Sequence, residues 1–446
     1  MDELTSLTCL ERLTISSCSV STLPDNFGAL PALNALVLHE LPLLRLPASF
    51  TRLASLESLL LVGCKEVQEL PAGFGCLTAL ETLSVAWSSS LDIPEDLGGL
   101  TNLRTLHFQN SRQEQLPSSF TQLTSLTRLE LERCEVVELP EGMAEMTHLQ
   151  ELHIESCPSF IELPELLTAL ISLEVLRIEQ CHNFSSIPTR LDSLTKLTQL
   201  GLRGCCLQNE APLALPPSLQ ALSFESNDQG GSMPDISTIT ALRKLCLGFG
   251  DETCVEAISA HLPNLQHLEL ELEEAADESL SLLARLPRLR SLMNTEVGSV
   301  NNLVESDGSA LQELQELTII TWSDQFTELP AAITTLHHLT SIHICAPKLS
   351  SLPDGLGALS RLRKLELPFC SSLAHLPDSL TQLSCLHELN LFNTSIRLLP
   401  AGFANRSRLK KRHLDQYEQL EALPDDISDL RMLDYLSTSG CDMLQR

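Results

Sequence analysis

Residues 126–149 read LTRLELERCEVVELPEGMAEMTHL, and most of the chain can be laid over them. Leu126, Leu129 and Leu131 form LxxLxL, in which the last two alternate with polar residues as one face of a short strand requires. Cys134 closes the turn. Val137 and Leu139 lead into Pro140, whose fixed φ and missing N–H suit the first position of a short helical or 3₁₀ segment. Met143 and Met146 give that segment an inward apolar side, and the next strand opens at Leu149. The expectation is one coil of chain per repeat.

The Leu-Pro step returns at Leu23-Pro24, Leu46-Pro47, Leu70-Pro71, Leu116-Pro117, Leu139-Pro140 and Leu163-Pro164, then from Leu329-Pro330 through Leu423-Pro424. Its interval of about 23 or 24 residues is too short for repeats built of helical pairs and suits a coil holding a single strand. The frame predicts about nineteen strands, the first opening at Leu10 and the last at Leu433. The predicted fold is an α/β repeat: a solenoid curved like a horseshoe, with a parallel β-sheet on the concave face and 3₁₀, short helical or loop segments on the convex face. Each coil packs only on its neighbours, so a chain of 446 residues needs no central core and reads as one domain, 1–446. Within it, residues 1–210 and 326–446 hold regular Leu-Pro coils and residues 211–325 irregular ones.

Three irregularities stand out. DETCVEAISAHL and EEAADESLSLLARL, between about residues 250 and 290, read as amphipathic helices in place of the Leu-Pro turn. Asn294 stands where an apolar strand residue belongs, and a loose or bulged stretch is expected from there through Val297 to Ser309. In LKKRHL, residues 409–414, Arg412 replaces the middle leucine, which predicts a distorted or frayed unit.

A formal charge of −29 argues against nucleic acid and anionic membranes as partners. It suits a protein with a basic segment, or acidity serves only to keep a leucine-rich chain dissolved. The cysteines number fifteen, and Cys18, Cys64, Cys134, Cys157, Cys181, Cys205, Cys370 and Cys441 share one repeat position. A ladder of small, buried, reduced thiols follows, and with it a reducing compartment. MDELTSLTCLERL lacks the basic start and apolar run of an export signal, which points to the cytoplasm. The chain begins and ends inside repeat units, as a piece of a larger polypeptide, or one whose ends a partner covers, would.

The composite LxxLxxLxLxxCxxLxxLPxxφ, carried by LERCEVVELPEGM, LRIEQCHNFSSIP and LELPFCSSLAHLPDSL, resembles the leucine-rich-repeat region of plant intracellular immune receptors. It is also similar to the Ras-group leucine-rich-repeat proteins. The resemblance rests on scaffold residues along nearly the whole chain. It implies a non-enzymatic protein-recognition scaffold, receptor-like in sensing or signalling for defence. The alternatives are the substrate-recruiting part of a ubiquitin ligase, a secreted effector, or a Ras-type signalling adaptor. Those receptors also carry a nucleotide-binding module, for which this chain has no GxxxxGK[ST] loop. HExxH, a nucleophile elbow and a glycine-rich dinucleotide loop are likewise missing, so no catalytic residue, cofactor or metal site is assigned.

Candidate binding residues come from stacking the strands. One sheet-face position runs His107, Glu130, His153, Arg177; another runs Glu132, Glu155, Glu179, Arg203, Glu225. The first alternates charge. The second places three glutamates on adjacent strands, roughly 5 Å apart, where they repel. Glu132, Glu155 and Glu179, with Glu130 beside them, are candidates to receive a basic segment; the competing reading is a solvated face that Arg133, Arg177 and Arg203 make tolerable. Trp87, Phe249, Phe369 and Phe392 fall just past a strand and are candidate anchors, or else cover the edge of the core. Phe27, Phe50, Phe74, Phe120 and Phe403 follow Leu-Pro and belong to the core.

Overall fold

The computed structural model describes residues 2–88, 91–208, 212–225, 234–272, 281–295, 311–401, 411–413 and 435–437. The chain forms two compact units, Met1–Thr238 and Ile239–Arg446. In the first, β1 (Arg12–Ser16), β2 (Ala35–His39), β3 (Ser58–Val62), β4 (Thr82–Ala86), β5 (Thr105–Gln109), β6 (Arg128–Glu132), β7 (Glu151–Glu155), β8 (Val175–Glu179), β9 (Gln199–Leu202) and β10 (Ala221–Phe224) follow one another. Each pairs in parallel with the next, without a register shift.

The second unit holds β11 (Lys244–Gly250), β12 (His267–Leu272), β13 (Ser291–Thr295), β14 (Glu316–Ile320), β15 (Ser341–Cys345), β16 (Lys364–Glu366), β17 (Glu388–Asn390), β18 (Lys411–His413) and β19 (Tyr435–Ser437). These too pair in parallel and in chain order. Each unit is thus a leucine-rich-repeat solenoid with the sheet on one side and short 3₁₀ turns on the other. All nineteen strands lie where the LxxLxL frame placed them.

The coil at 126–149 shows why. Leu126, Leu129, Leu131, Leu139, Met143, Met146 and Leu149 are at most 3% exposed, and Pro140 stands in extended geometry directly before the 3₁₀ turn Glu141–Glu145. One detail differs from the sequence reading: Val136, 2% exposed, fills the space assigned to Val137, which is only half-buried. Phe27, Phe50 and Phe74 form a stack along the axis, with ring centroids 6.0 and 6.5 Å apart, and Phe120 is fully buried. Phe403 lies outside the described residues.

The cysteine ladder is built by hydrogen bonds. The thiols of Cys64, Cys134, Cys157, Cys181, Cys205 and Cys370 each donate to the carbonyl of the second inward residue one coil earlier, at 3.2–3.8 Å. Each thiol also donates to the carbonyl two residues before it. Burial pushes Cys205 and Cys370 up to about 12, so these are unreactive neutral donors. Cys18 is a correction: it is exposed, because in the first coil no earlier strand lies over it. Cys441 falls outside the described residues.

Among the irregular coils, DETCVEAISAHL forms the helix α1 (Glu252–His261), capped where the Asp251 carboxylate accepts from the Cys254 N–H at 3.0 Å. The second expected helix is a 3₁₀ turn at 281–285 over its described part. The looseness expected at Asn294 is also corrected. Asn294 pairs in register with Leu270 and Ile319 and is 2% exposed, its Oδ1 without a hydrogen-bond partner among the described residues. The register shift comes instead between Leu247 and Gly250. Arg412 keeps backbone register with Leu389 and Leu436, so the unit predicted to fray is paired through its strand. The stretch 296–310 lies outside the described residues.

Candidate interaction surface on the sheet face

The register brings the two predicted rows of side chains into being. His107 pairs with Glu130, Glu130 with His153, and His153 with Arg177. On the strand's last position Glu132 pairs with Glu155, and Glu155 with Glu179. Inward leucines fix which side chains remain on the open face, since a strand alternates its two sides.

The centre of this face is neutralised by Arg128. Its guanidinium donates to Glu130 through Nε at 2.9 Å and to Glu151 on the next strand at 2.5 Å. His153 sits half-buried beside this group. Its Nε2 lies 3.5 Å from Glu151 Oε2 but is too poorly aligned for a hydrogen bond. Burial, and after it the positive charges of Arg177 and Arg128, holds the imidazole below its ordinary range.

At the margin the charges are less well matched. Glu132 pairs with Arg133 at 2.8 Å, but among the described residues no lysine or arginine lies within ion-pairing distance of Glu155 or Glu179. The other two arginines expected to shield the row turn elsewhere: Arg177 donates to Gln199 at 2.7 Å, and Arg203 lies 3.8 Å from Glu225. Glu179 extends over the next strand at Gly201, where a Cβ would meet its carboxylate at 2.5 Å. The row of three glutamates is therefore assembled as expected, with one member paired.

Just past the strands runs a second feature, which the sequence did not disclose. One residue in each coil from Ser17 through Glu40, Gly63, Trp87, Asn110, Arg133, Ser156 and Gln180 to Gly204 is left-handed, with φ between 47 and 68°. Glycine and asparagine accept this conformation readily, whereas tryptophan and arginine hold it at a cost of about 1 kcal/mol. Trp87 is 46% exposed there, and the Arg133 guanidinium carbon stands 5.7 Å from its ring centroid.

In the second unit Phe369, left-handed and 41% exposed, meets half-buried Phe392 edge to face at 5.1 Å. The side chain of Phe249 lies outside the described residues. Trp322, 61% exposed, was missed. Counted forward from its strand it falls on the buried ladder position; counted back six residues from Leu329, the spacing of Cys64 from Leu70, that position falls on Ser323 and Trp322 lies one residue outside. The second count is right, because buried Ser323 takes the ladder position.

Among the described residues no group of three His, Cys, Asp or Glu is placed to hold a metal ion, and no helix is long and apolar enough to cross a membrane. Residues 1–115 and 106–320 match a family model described as a leucine-rich repeat region. Among solved structures, a leucine-rich-repeat protein of Leptospira interrogans is 21% identical with a TM-score of 0.52, over 89% of this chain and 93% of that one. TLR13, solved as the TLR13-ssRNA13 complex, is 19% identical with a TM-score of 0.51, over 94% of this chain and 61% of that one. The ectodomain of the Arabidopsis thaliana receptor kinase GASSHO1/SCHENGEN3 is 18% identical, covering 98% and 68%, but its TM-score of 0.31 is too low to carry weight. At these identities the likeness concerns the fold. No curated protein matches the chain.

Proposed function

Because the chain belongs to the leucine-rich-repeat family, we propose that it is a non-enzymatic scaffold that recognises a protein partner, and that the partner offers a basic segment to the sheet face of the first unit. The observation that carries this reading is the row Glu132, Glu155 and Glu179, of which only Glu132 has a basic partner among the described residues. Like charges directly opposite on neighbouring strands destabilise a sheet, so the row contributes nothing to folding. Open carboxylates about 5 Å apart match the charges of an extended lysine- or arginine-rich segment. A scaffold whose side chains are already fixed binds without the entropic cost of ordering a loop.

Nucleic acid, which accompanies TLR13 in its solved complex, is disfavoured by the net charge of −29. The setting we infer is receptor-like sensing in defence, on the strength of the LERCEVVELPEGM type of coil. The place is the cytoplasm, since the ladder thiols act as hydrogen-bond donors, a role a disulfide would abolish. The test is affinity capture from native extract with the wild-type chain and with Glu132→Lys, Glu155→Lys, Glu179→Lys. The expected outcome is a salt-sensitive partner whose retention falls at least about 100-fold with the triple reversal. Equal capture by both chains sinks the reading.

A further inference from the structure

Gly63 interrupts the row of left-handed residues between Glu40 and Trp87. It has no side chain to fill its place, and a cavity of about 660 Å³ opens there, with Glu40 and Trp87 among its walls. Val62 and Pro42 add apolar surface, and Glu66 adds a second carboxylate, so that the wall holds two carboxylates against the single ammonium of Lys65. A Cβ on residue 63 would come within 3.2 Å of Glu40 Cγ, so the glycine keeps the space open as well as allowing its φ of +68°. The volume lies within the ordinary range of ligand sites.

The chemistry of the walls selects the occupant. Glu40 and Trp87 belong to coils two steps apart, which separates them by about 9.6 Å along the stack. That gap accepts a flat cation on the indole ring while leaving hydrogen-bonding distance to a carboxylate. Glu40 is 63% exposed and has Ser17 and His39 as its neighbours; among the described residues neither it nor Glu66 is paired with lysine or arginine. The ring already receives such a group. Arg133, two coils downstream, lies over Trp87 while ion-paired with Glu132 at 2.8 Å, so one guanidinium uses an indole and a carboxylate together. Guanidinium is planar, weakly hydrated and able to fork onto a carboxylate, and ammonium lacks all three properties. Leaving a tryptophan 46% exposed in a left-handed turn gains the fold nothing.

We propose that the cavity between Glu40 and Trp87 is an anchor pocket for an arginine side chain of a partner polypeptide, stacked on the indole and bonded to Glu40, with Glu66 strengthening the negative field. The pocket goes beyond the glutamate row on β6 to β8 and uses none of its three carboxylates.

The chain has two tryptophans, so Trp322→Phe leaves Trp87 as the sole indole reporter. The experiment titrates the full-length Trp322→Phe chain at constant ionic strength with blocked Gly-Arg-Gly, and with the citrulline tripeptide as its neutral isostere. The expected result is a saturable change in Trp87 emission at millimolar arginine peptide, at least about tenfold weaker with citrulline. Adding Glu40→Gln and Glu66→Gln should weaken arginine binding at least about fivefold while circular dichroism and the melting temperature stay as before. Adding Glu155→Lys and Glu179→Lys should leave the titration unchanged, so that failure of the glutamate row and failure of the pocket are read separately. No emission change, an equal response to both peptides, undiminished binding by the glutamine variant, or loss of binding in the lysine variant would each overturn the pocket.

Discussion

Arg128 in the first unit and Lys364 in the second stand at the same place in their coils and bond the same kinds of neighbour. Arg128 holds Glu130 two residues on and Glu151 one strand on. Lys364 holds Glu366 two residues on at 3.0 Å and approaches Glu388 one strand on at 4.0 Å. A histidine flanks each group, but His343 Nδ1 reaches Glu366 at 3.0 Å whereas His153 Nε2 makes no hydrogen bond among the described residues. At the strand's end the units differ in kind. The first presents Glu132, Glu155 and Glu179; the second presents Ile320, Cys345, Pro368 and Phe392 at the register-equivalent places. The centre of the face repeats because side chains there lie close together and must be neutralised. The margin packs against less, so it is free to carry recognition.

The largest test of this comparison removes the central cations. Arg128→Ala leaves Glu130 and Glu151, diagonal neighbours on adjacent strands, without the cation they share. After allowance for solvent screening of a half-exposed arginine, a loss of about 1–2 kcal/mol is expected in chemical denaturation. Lys364→Ala should cost less than about 1 kcal/mol, because Glu366 keeps His343. Equal losses would mean that the histidine is no substitute donor and that the two centres are not built alike.

The sequence made the repeating half of this picture legible and concealed the other half. LxxLxL, Leu-Pro and the cysteine spacing placed every described strand, because each reports a packing demand that recurs in every coil. Trp322 escaped because Ile342 follows Leu317 by 25 residues, against 23 from Leu129 to Leu152, so counting from the strand misplaces the turn. The cavity beside Trp87 escaped because it depends on Gly63 having no side chain, and glycine in a turn is unremarkable until its two neighbours in the stack are known. The glutamate row was readable, yet which arginines shield it was not: Arg177 and Arg203 turn toward Gln199 and Glu225 through rotamers that spacing does not set.

Acid should reach the two units in different ranges. His153 is held below its ordinary value, so the unfolded chain takes up a proton first, and stability falls as pH drops below about 6.5. Burial alone would raise Glu366, but hydrogen bonds from Lys364 and His343 outweigh it and lower the carboxyl. Its contribution is therefore present above its unfolded value of about 4.5 and disappears as pH falls through the lower folded value. Denaturation of wild type against His153→Gln should diverge between pH 7 and 5.5, with wild type the more acid-sensitive. The advantage of wild type over Glu366→Gln should shrink only below about 4.5. A single shared window would mean that His153 and Glu366 are not what sets the acid response of the two units.

The smallest effect bears most directly on the margin. Glu155 stands between Glu132 and Glu179 in strand register and has no basic partner within ion-pairing distance among the described residues. Neutralising it as Glu155→Gln removes two repulsions and sacrifices no attraction, so stability should rise by about 0.2–0.5 kcal/mol at low ionic strength. Salt at about 1 M shortens the screening length to roughly 3 Å and should erase the gain. By contrast Glu388→Gln, at the centre of the second unit's face, gives up the approach of Lys364 and should bring no gain at any salt. If Glu155→Gln stabilises nothing at low salt, the row is neutral to the fold, and its retention no longer argues that a basic partner is what it serves.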